Sequence, residues 1–498
     1  MKSINILTGL ALLCLAGNVS AQNQVDALRY SQLGLGGTAR VQGIGGAQAA
    51  LGADAGNLAG NPAGLGLFRR SEFTFTPGIN FNTTESNITG SSSVDQRNNV
   101  HLGNFGIIFS NRKSDGTEGN WRGGSFGVGF TQRSNLNTQF NYSGSIANNN
   151  TYVRYLANST YDNNFTETEL DDEYTNGIQT LEGLGYATYL TGFDTDENNN
   201  RYLYYESQNN VTRSESVISS GALNQWDFSY GASYRDKVYI GGALSLSTIR
   251  YNQERFYQEL DADPNTYFTS LGLRDEFTTI GTGVNLRAGI IIRPTDILRI
   301  GASIQTPTFY SMNDIYDTSL NTSFQDDTGV QDYSEAMVPG EYSYRLTTPM
   351  RATAGVALFA GKYGFVTGDV EYLNYSNARL ADNENSSEFS DVNNKISTDY
   401  KSAVNIKVGA EGRFDVFRVR AGIALLGDPY ENSNFDHQRS YITGGVGIKQ
   451  ANYFVDLAVV NSKFNSVYSP YTVADEPQTI VTTKNRNNNV LVTLGVNF

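Results

Sequence analysis

The chain has 498 residues, a formal net charge of −14, and abundant glycine (51), tyrosine (31) and phenylalanine (26). The negative charge argues against nucleic-acid binding, which needs a basic surface, and the aromatic content argues against a disordered chain. Beyond the N-terminus no apolar run approaches the 18 residues of a membrane-spanning helix.

Residues 1–21 have the pattern of a secretory signal peptide. Lys2 supplies the positive charge, a short apolar core follows, and small residues precede a cleavage position after Ala21. We therefore expect a secreted mature protein that starts at Gln22. The single cysteine, Cys14, lies in the apolar core, so the mature chain should hold no disulfide and no thiolate metal site.

The stretch 34–66 is rich in glycine and alanine and shows no strand alternation. Small residues permit close backbone packing and positive φ, so we predict that residues 22–70 form a compact plug ahead of the first strand. A dinucleotide-binding loop is the rival interpretation of these glycines. It is disfavoured because neither Gly-x-Gly pair follows a predicted strand or meets the full G-x-G-x-x-G spacing.

From about Glu72 onward, apolar side chains recur at every second position, which is the pattern of β-strands. We predict fourteen strands, at 71–83, 98–111, 123–134, 224–235, 238–250, 276–292, 296–309, 341–360, 363–378, 399–412, 416–426, 438–449, 452–463 and 486–498. Long connections at 84–97, 135–223, 251–275, 310–340, 379–398, 427–437 and 464–485 alternate with short ones. Transmembrane barrels have an even strand count, short periplasmic turns and long extracellular loops. The sequence therefore predicts an all-β protein, a 14-stranded antiparallel transmembrane β-barrel over 71–498.

The two faces of the predicted strands differ in polarity. In the last strand, one face consists of Val490, Val492, Leu494, Val496 and Phe498, as expected for a lipid-facing surface. The opposite faces of the middle strands carry charges of both signs: Arg287, Arg299, Arg351, Asp369, Glu371, Lys407, Glu411, Arg418 and Arg420. These charges could form a salt-bridged lumen that seats a plug, or they could line a polar conduit or hold a substrate carboxylate.

Three segments resemble the long-chain fatty-acid transporter (FadL-type) family of outer-membrane proteins, in particular its Bacteroidetes-like branch. The first is 36–72, with GGTAR, GIGGAQAALGADAGNLAGNPAGL and RRSEF; the others are 283–310 and 347–376. Within the first, Asn61, Pro62, Ala63 and Gly64 match the family's Asn-Pro-Ala hatch motif, and Gly45 and Gly46 belong to the same glycine-rich hatch. The resemblance implies a barrel plugged by its N-terminal domain. It also implies passive uptake of hydrophobic molecules, with capture among extracellular loops and sideways release through the wall.

Candidate capture residues are the apolar side chains of the predicted loop 251–275, which are Phe256, Tyr257, Leu260, Tyr267, Phe268 and Leu271. They could equally form an outer aromatic girdle. The third strand contains Gly123, Gly124, Gly127 and Gly129, which indicate either a kinked wall near an exit or a strand packed against the plug.

Other chemistries have weaker support. Asp194, Asp196 and Asn198 have the opening spacing of a calcium loop, but Asn199 stands where glycine is needed. The acidic run at 167–173 is typical of a solvated loop. His101 and His437 are the only histidines, and neither has the neighbours of a hydrolase site or a haem-specific pattern. We therefore predict no enzymatic activity, no metal and no cofactor.

The sequence as a whole predicts a monomeric outer-membrane channel, embedded in lipid and lipopolysaccharide, for hydrophobic or amphipathic small molecules. Alternatives are a surface adhesion protein whose long loop 135–223 meets a partner, a haemin-binding receptor anchored by the barrel, and a general porin.

Overall fold

The computed structural model describes residues 23–498 except 114–118, 146–149, 197–200, 207–210, 262, 264–265, 383–388 and 474–475. The predicted signal peptide therefore lies outside the described residues. None of the helices in the described part of the chain is long and apolar enough to cross a membrane.

The described elements are mainly strands. The helices are α1 Gln24–Ser31, α2 Ala39–Gly43, α3 Tyr152–Asp162, α4 Glu167–Asn176, α5 Leu181–Ala187 and α6 Ser390–Asp399, with 3-10 helices at Ala55–Leu58, Pro62–Leu67 and Tyr375–Asn377. The strands are β1 Glu72–Ile88, β2 Ser91–Arg112, β3 Trp121–Asn135, β4 Thr138–Ser145, β5 Thr191–Thr195, β6 Arg201–Tyr205, β7 Val211–Tyr234, β8 Val238–Asp261, β9 Phe268–Ile292, β10 Leu298–Gln305, β11 Phe309–Asp326, β12 Gly329–Ala336, β13 Gly340–Thr347, β14 Arg351–Phe359, β15 Gly364–Asn374, β16 Arg379–Asp382, β17 Ser402–Phe414, β18 Phe417–Leu426, β19 Arg439–Lys449, β20 Tyr453–Tyr468 and β21 Val481–Asn497.

The main sheet closes on itself as a 14-stranded antiparallel barrel, as the sequence predicts. Closure is made by β1, which pairs with β2 on one side and with β21 on the other, Phe75 lying opposite Leu494. Four barrel strands are each built from two segments, which are β3 with β4, β10 with β11, β13 with β14, and β15 with β16. The hairpin strand β12 pairs only with β11, and β5 and β6 form a separate two-stranded sheet.

Prolines account for two of these divided strands. The predicted strands 296–309 and 341–360 are each interrupted in the structure, at 306–308 and 348–350. Pro307 and Pro349 lie in the two interruptions. Because proline has no N–H to donate to the ladder, it ends regular pairing. The single-strand predictions were therefore wrong at these two points.

The barrel exterior carries a continuous apolar belt. Leu494, Val496 and Phe498 of the last strand point outward, together with Ile240, Leu244 and Leu246 of β8. In contrast, inward neighbours such as Thr74, Thr76 and Asn80 of β1 are buried and polar. A closed sheet leaves no unpaired edge in lipid, so this is a transmembrane barrel of the outer-membrane type.

The strands continue well beyond the membrane, which corrects several predicted loops. β8 and β9 have 24 and 25 residues, whereas about 9–11 residues span a bilayer. The predicted loop 84–97 is instead a hairpin whose turn is Thr89–Gly90, both with positive φ. Predicted loops 251–275 and 310–340 are likewise largely extensions of strands β8, β9, β11 and β12, whereas 464–485 is strand only at its two ends, in β20 and β21. In these extensions both faces of the strands carry polar residues. The alternation of apolar and polar residues that the strand prediction used is therefore lost.

The long connection 135–223 is also structured. Its residues 150–190, which we call the roof, contain α3, α4 and α5. Val153, Leu156 and Leu184 of the roof are buried against Tyr257 and Leu271, which point inward from the upper ends of β8 and β9. The roof therefore extends across the extracellular end of the lumen.

Residues 23–70, which we call the plug segment, lie inside the barrel. The helix α2 packs against β18 to β21, and the 3-10 helix Pro62–Leu67 packs against β3 and β7 to β9 on the other side. Between them, the backbone N–H groups of Gln48 and Ala49 donate to Asp369 of β15. The plug segment thus contacts the wall around most of its circumference.

Candidate ligand channel

The Asn-Pro-Ala block joins the plug segment to the wall. The Asn61 side chain accepts a hydrogen bond from Ala63 N (3.1 Å) and so caps the 3-10 helix that begins at Pro62. Its amide nitrogen lies 2.7 Å from Ala49 O, 3.2 Å from Ile290 O and 3.3 Å from Ala302 O. Ile290 and Ala302 face each other across β9 and β10. One side chain therefore connects two parts of the plug segment to two neighbouring strands.

Glycines allow the plug segment to lie against the wall. Gly45 and Gly46 both have positive φ, 67° and 75°, a conformation that glycine adopts at little cost. A Cβ at Gly45 would lie 2.9 Å from Ile423 O. Gly64 packs on the Asn57 side-chain amide, and its carbonyl accepts from Ala53 N at 3.1 Å.

Most of the predicted lumen charges pair with the plug segment or with each other. Glu411 is 4% exposed and accepts from Arg420 (2.8 Å), Arg413 (2.8 Å) and Arg40 of α2 (3.1 Å). Arg420 also donates to Asp456 at 2.6 Å. Because Arg40 comes from the plug segment and the other charges come from the wall, this cluster fastens one to the other.

A second group of lumen charges lies on β9, β14, β15 and β17. Glu371 is paired with Arg351 at 3.4 Å and with Lys407 at 3.7 Å, and Arg351 also donates to Ser31 O of α1. Arg287 donates to Gln305 at 2.8 Å and to Leu58 O of the plug segment at 3.3 Å. These contacts, too, hold the plug segment.

Two predicted lumen charges are placed elsewhere. Arg418 donates to the carbonyls of Asp415 and Phe417 in the β17–β18 turn. The Arg299 guanidinium lies over the Phe359 ring, 4.3 Å from its centroid. Both therefore lie at the periplasmic end of the wall, beside the β17–β18 and β9–β10 turns.

Above the plug segment lies a cavity of about 380 Å³. Apolar groups line part of it, including Leu28 and Leu35 of the plug segment and Phe464 of β20. Polar side chains from β1 and β21 line another part, and these are Asn80, Asn82, Asn485, Asn487 and Asn489. The cavity is therefore amphipathic, and the asparagine row on two adjacent strands forms its polar wall.

Three buried polar atoms of this cavity have no hydrogen-bond partner among the described residues. They are Asn80 Nδ2, His101 Nδ1 and Arg133 Nε. Leaving such groups unpaired costs about 1–3 kcal/mol each. Asn80 Nδ2 and Arg133 Nε favour an occupant that accepts hydrogen bonds, whereas His101 Nδ1 would accept one, because Nε2 of the same ring donates to Asn489 Oδ1. Arg133 also lines a smaller cavity of about 70 Å³ beside Asn61, and it thus lies between the two spaces.

Helix α1 forms one boundary of the larger cavity, through Val25, Leu28 and Arg29. Arg29 pairs with Asp26 one turn away and lies 4.4 Å from the centroid of the Tyr251 ring on β8. Burial raises the pKa of the Asp26 carboxyl, and the Arg29 charge acts in the opposite direction. Tyr400, which follows α6, donates to Gln24 O at 2.9 Å. The start of the plug segment is thereby bound to extracellular elements.

Beside the cavity, the neighbouring wall strands β2 and β3 stop pairing through their backbones. Backbone ladder pairs between β2 and β3 end at Asn104 and Thr131. Above this point 91–103 pairs only with β1, and β4 pairs only with β7. Side chains join the two edges instead, with Asn135 Nδ2 donating to Asn99 Oδ1 at 3.1 Å. We call this boundary, between 91–103 and 132–145, the seam.

The cavity reaches the seam. His101 and Gly103 on one side, and Gln132, Arg133 and Ser134 on the other, line both. The β3–β7 register shifts between Gln132 and Ser134, so Arg133 is the extra residue of a bulge there. Sequence reasoning missed the seam because no local composition distinguishes a strand paired through side chains from one paired through its backbone.

Two of the β3 glycines, Gly127 and Gly129, lie just below the seam and contact the plug segment. A Cβ at Gly127 or Gly129 would lie 2.7 Å or 2.5 Å from a Leu58 methyl group. Leu58 is fully buried. The close approach of Leu58 is therefore the observed reason for glycine at 127 and 129. Gly123 and Gly124 lie against Arg112 and Tyr230 instead.

Five of the six candidate capture residues lie on β8 and β9, Tyr267 lies directly before β9, and the six do not share one surface. Tyr257, Phe268 and Leu271 are buried beneath the roof, whereas Phe256, Leu260 and Tyr267 are 43%, 49% and 44% exposed on the outside. Alternation along a strand sends neighbouring side chains to opposite faces. The assignment of these residues to one loop was therefore wrong.

The roof is held by buried polar groups that the sequence did not single out. Glu259 accepts from Tyr152 N (2.9 Å) and from the Tyr471 hydroxyl (2.7 Å), and Arg213 donates to Asn150 O (2.6 Å). Arg213 and Glu259 are both fully buried. Burial also raises the pKa of the Tyr471 hydroxyl well above its ordinary value. The sequence signal that could have revealed these groups is a charged residue at an inward-facing position near the end of a strand.

The remaining candidates show no assembled site. Asp194 lies on β5 and accepts from the Tyr202 hydroxyl at 3.4 Å, while Asn198 and Asn199 lie outside the described residues. His101 contacts Asn489 at 3.0 Å, and the His437 ring lies 4.2 Å from Tyr430. Among the residues that the structure describes, no group of three or more His, Cys, Asp or Glu side chains could hold a metal ion.

Comparison with solved structures identifies the architecture. A Pseudomonas aeruginosa FadL homologue matches with a TM-score of 0.56 at 10% identity, over 94% of this chain and 99% of that one. The fold is that of the FadL-type barrels. The P. putida toluene transporter TodX matches with a TM-score of 0.53 at 13% identity, and the Ralstonia pickettii toluene transporter TbuX with 0.50 at 14%. Both of these matches cover 93% of this chain and 99% of the other. No family model and no curated protein matches the sequence.

Proposed function

We propose that the protein is an outer-membrane channel for passive uptake of hydrophobic or amphipathic small molecules. The observation that carries the proposal is the amphipathic cavity above a seated plug segment, which reaches a part of the wall without backbone pairing. The FadL-type fold, shared with two toluene transporters, supports it. In this proposal residues 22–70 act as a hatch in a barrel of 71–498, and the protein works as a monomer in lipid and lipopolysaccharide.

The ligand route has three stages. A ligand arrives from the extracellular side, past the roof, and occupies the cavity with its apolar part against Leu28, Leu35 and Phe464. Any polar group it carries meets the asparagine row and Arg133. The ligand then leaves sideways through the seam, because a hydrophobic solute that passes directly into lipid avoids full hydration. Side-chain contacts at the seam open at lower cost than a complete ladder would.

A liposome assay with purified protein tests the proposal. We expect influx of a lipophilic fluorescent probe, with low ion conductance while the plug segment is in place. Asn61→Ala should abolish most of this hatch-controlled uptake, because it removes the contacts to Ala49, Ile290 and Ala302 at once. Loss of this buried amide should also cost about 1–3 kcal/mol of stability.

The exposed residue Asn434 provides a matched control. Asn434→Ala should behave as the native protein in both the uptake and the conductance measurement. A large steady sugar conductance in the native protein would instead indicate a general porin. Absence of any flux would indicate a surface-binding protein for which the barrel is only an anchor.

A further inference from the structure

The periplasmic end of the barrel carries a basic ring. Each turn at this end has a Lys or Arg within it or within two residues of it, and so does the link from the plug segment into β1. At the β9–β10 and β17–β18 turns these are Arg293, Arg413 and Arg418, which are half-buried. The exposed members are Arg69, Arg70, Lys113, Arg235, Lys237, Lys362 and Lys449. The exposed acids in the same described turns are only Asp296 and Asp415. On a chain whose net charge is −14, this concentration of positive charge at one end requires an explanation.

The opposite end of the molecule has the reverse character. In the roof, α4 carries Glu167, Glu169, Asp171, Asp172 and Glu173, with no basic residue within the helix. The hairpin turn between β11 and β12 holds Asp326 and Asp327. Charge is therefore sorted along the barrel axis, with acids outside and bases at the periplasmic side.

The ring also lies at the level of a membrane interface. Outward-pointing aromatic side chains adjoin it, with Trp121, Tyr363, Phe414 and Tyr453 all about half exposed or more. Arg235 and Lys362 each lie 5.5 Å from the ring centroid of the tyrosine beside them, Tyr234 and Tyr363. Aromatic belts of this kind occupy the lipid headgroup region, so the cations lie where lipid phosphates would be.

We propose that the basic ring binds anionic phospholipid headgroups of the periplasmic leaflet. The exposed cations lie at four of the six periplasmic turns and at the link into β1, so they are distributed around the barrel rather than gathered on one side, which matches a surrounding annulus of lipid. A soluble protein partner would call for a patch on one side. An exposed cation close to an anionic surface contributes about a fivefold factor in binding, so several together would give a marked preference for anionic over zwitterionic lipid.

Electron spin resonance with spin-labelled lipids tests this in vesicles of phosphatidylcholine that contain the whole barrel. We expect spin-labelled phosphatidylglycerol to associate at least threefold more strongly than spin-labelled phosphatidylcholine, and salt to weaken the preference. The quadruple variant Arg235→Gln, Lys237→Gln, Lys362→Gln and Lys449→Gln removes four of the seven exposed ring cations and should lower the ratio to less than half of its native value. These residues do not line the cavity, so probe uptake should be unchanged.

A matched variant removes four cations from the extracellular half, by Lys395→Gln, Lys401→Gln, Lys463→Gln and Lys484→Gln. It should keep the full lipid preference. Equal association of both lipids with the native barrel would overturn the proposal, as would a preference that is undiminished in the ring variant or disappears in the extracellular one. Because lipid selectivity and probe uptake are read separately, failure of either proposal leaves the other intact.

Discussion

The lower and upper halves of the lumen are built differently. Below, the plug segment fits against the wall through glycine contacts, the Asn61 amide and the charge cluster of Glu411, Arg40 and Arg420. Above, a cavity is lined by asparagines, and three buried polar atoms remain without partners among the described residues. Among the described residues, buried polar atoms without partners occur below as well, at Gln48 Oε1, Asn57 Oδ1 and Asp369 Oδ1. The two halves therefore differ in packing: an interface filled by side chains resists opening, whereas an open space lined by unpaired polar atoms gains from an occupant. We infer that the plug interface in the lower half closes the barrel and that the cavity in the upper half binds the ligand.

The largest expected effect comes from breaking the charge cluster of the lower half. Glu411→Gln leaves three guanidinium groups, those of Arg40, Arg413 and Arg420, without their shared carboxylate. Removing one partner of a buried ion pair costs about 3–5 kcal/mol. We expect a lower thermal midpoint and a several-fold rise in single-channel conductance, measured in planar bilayers.

Glu431→Gln is the control for this substitution, because Glu431 is exposed. It should change neither conductance nor thermal midpoint. If Glu411→Gln lowered stability but left conductance at the native level, the cluster would stabilise the barrel without controlling closure.

A smaller effect is expected from filling the space that Leu58 occupies. Gly129→Val places methyl groups where Leu58 lies, since even a Cβ would come within 2.5 Å of it. Overpacking typically costs about 1–3 kcal/mol. We expect the plug segment to shift and uptake through the adjoining seam to change at least threefold in the liposome assay. Gly361→Val lies at a periplasmic turn where an added Cβ would have no neighbour within 4 Å, but it is a poor control because valine is strained at the φ of 56° found there. Gly272→Val, which also has open space and no positive φ, is the cleaner control. Native uptake by the Gly129→Val variant would show that the β3 glycines have no role in the exit of the ligand.

The smallest effect should come from the upper half. Arg133→Gln removes a charge but keeps a hydrogen-bonding group at the junction of the two cavities. Uptake of an amphipathic probe with a carboxylate should fall about three- to tenfold, as expected for loss of one charge-assisted hydrogen bond. Uptake of a neutral aromatic probe should stay constant. An equal decrease for both probes would show that Arg133 acts on the wall rather than on the ligand.

The two halves also differed in how far the sequence could predict them. Period-2 alternation is local, so the membrane strands and their outward faces, such as Val490 to Phe498, could be assigned from sequence. The positions of Asn61 and Gly45 were visible as a motif. Pro307 and Pro349 are also visible in the sequence, but the predicted strands were not divided at these two prolines.

The upper half depends on features that no local pattern carries. Where β8 and β9 rise above the membrane, both faces are polar, so alternation no longer marks the strands. The seam lies between the neighbouring strands β2 and β3, whose backbone pairing stops at Asn104 and Thr131, and above this point Asn99 and Asn135 meet through their side chains. The amphipathic cavity, likewise, combines residues from α1, β1, β2, β3, β20 and β21.

Locking the seam tests the central claim most directly. Cys14, in the predicted signal peptide, is the only cysteine of the chain, so Asn99→Cys with Asn135→Cys can be joined by a short, cleavable thiol cross-linker. The control pair is Ser440→Cys with Lys463→Cys, which face each other on the fully paired strands β19 and β20. We predict that cross-linking the seam lowers lipophilic probe uptake at least tenfold, that cleavage restores it, and that the control pair changes nothing. Native uptake through a seam that mass spectrometry shows to be fully cross-linked would contradict lateral release.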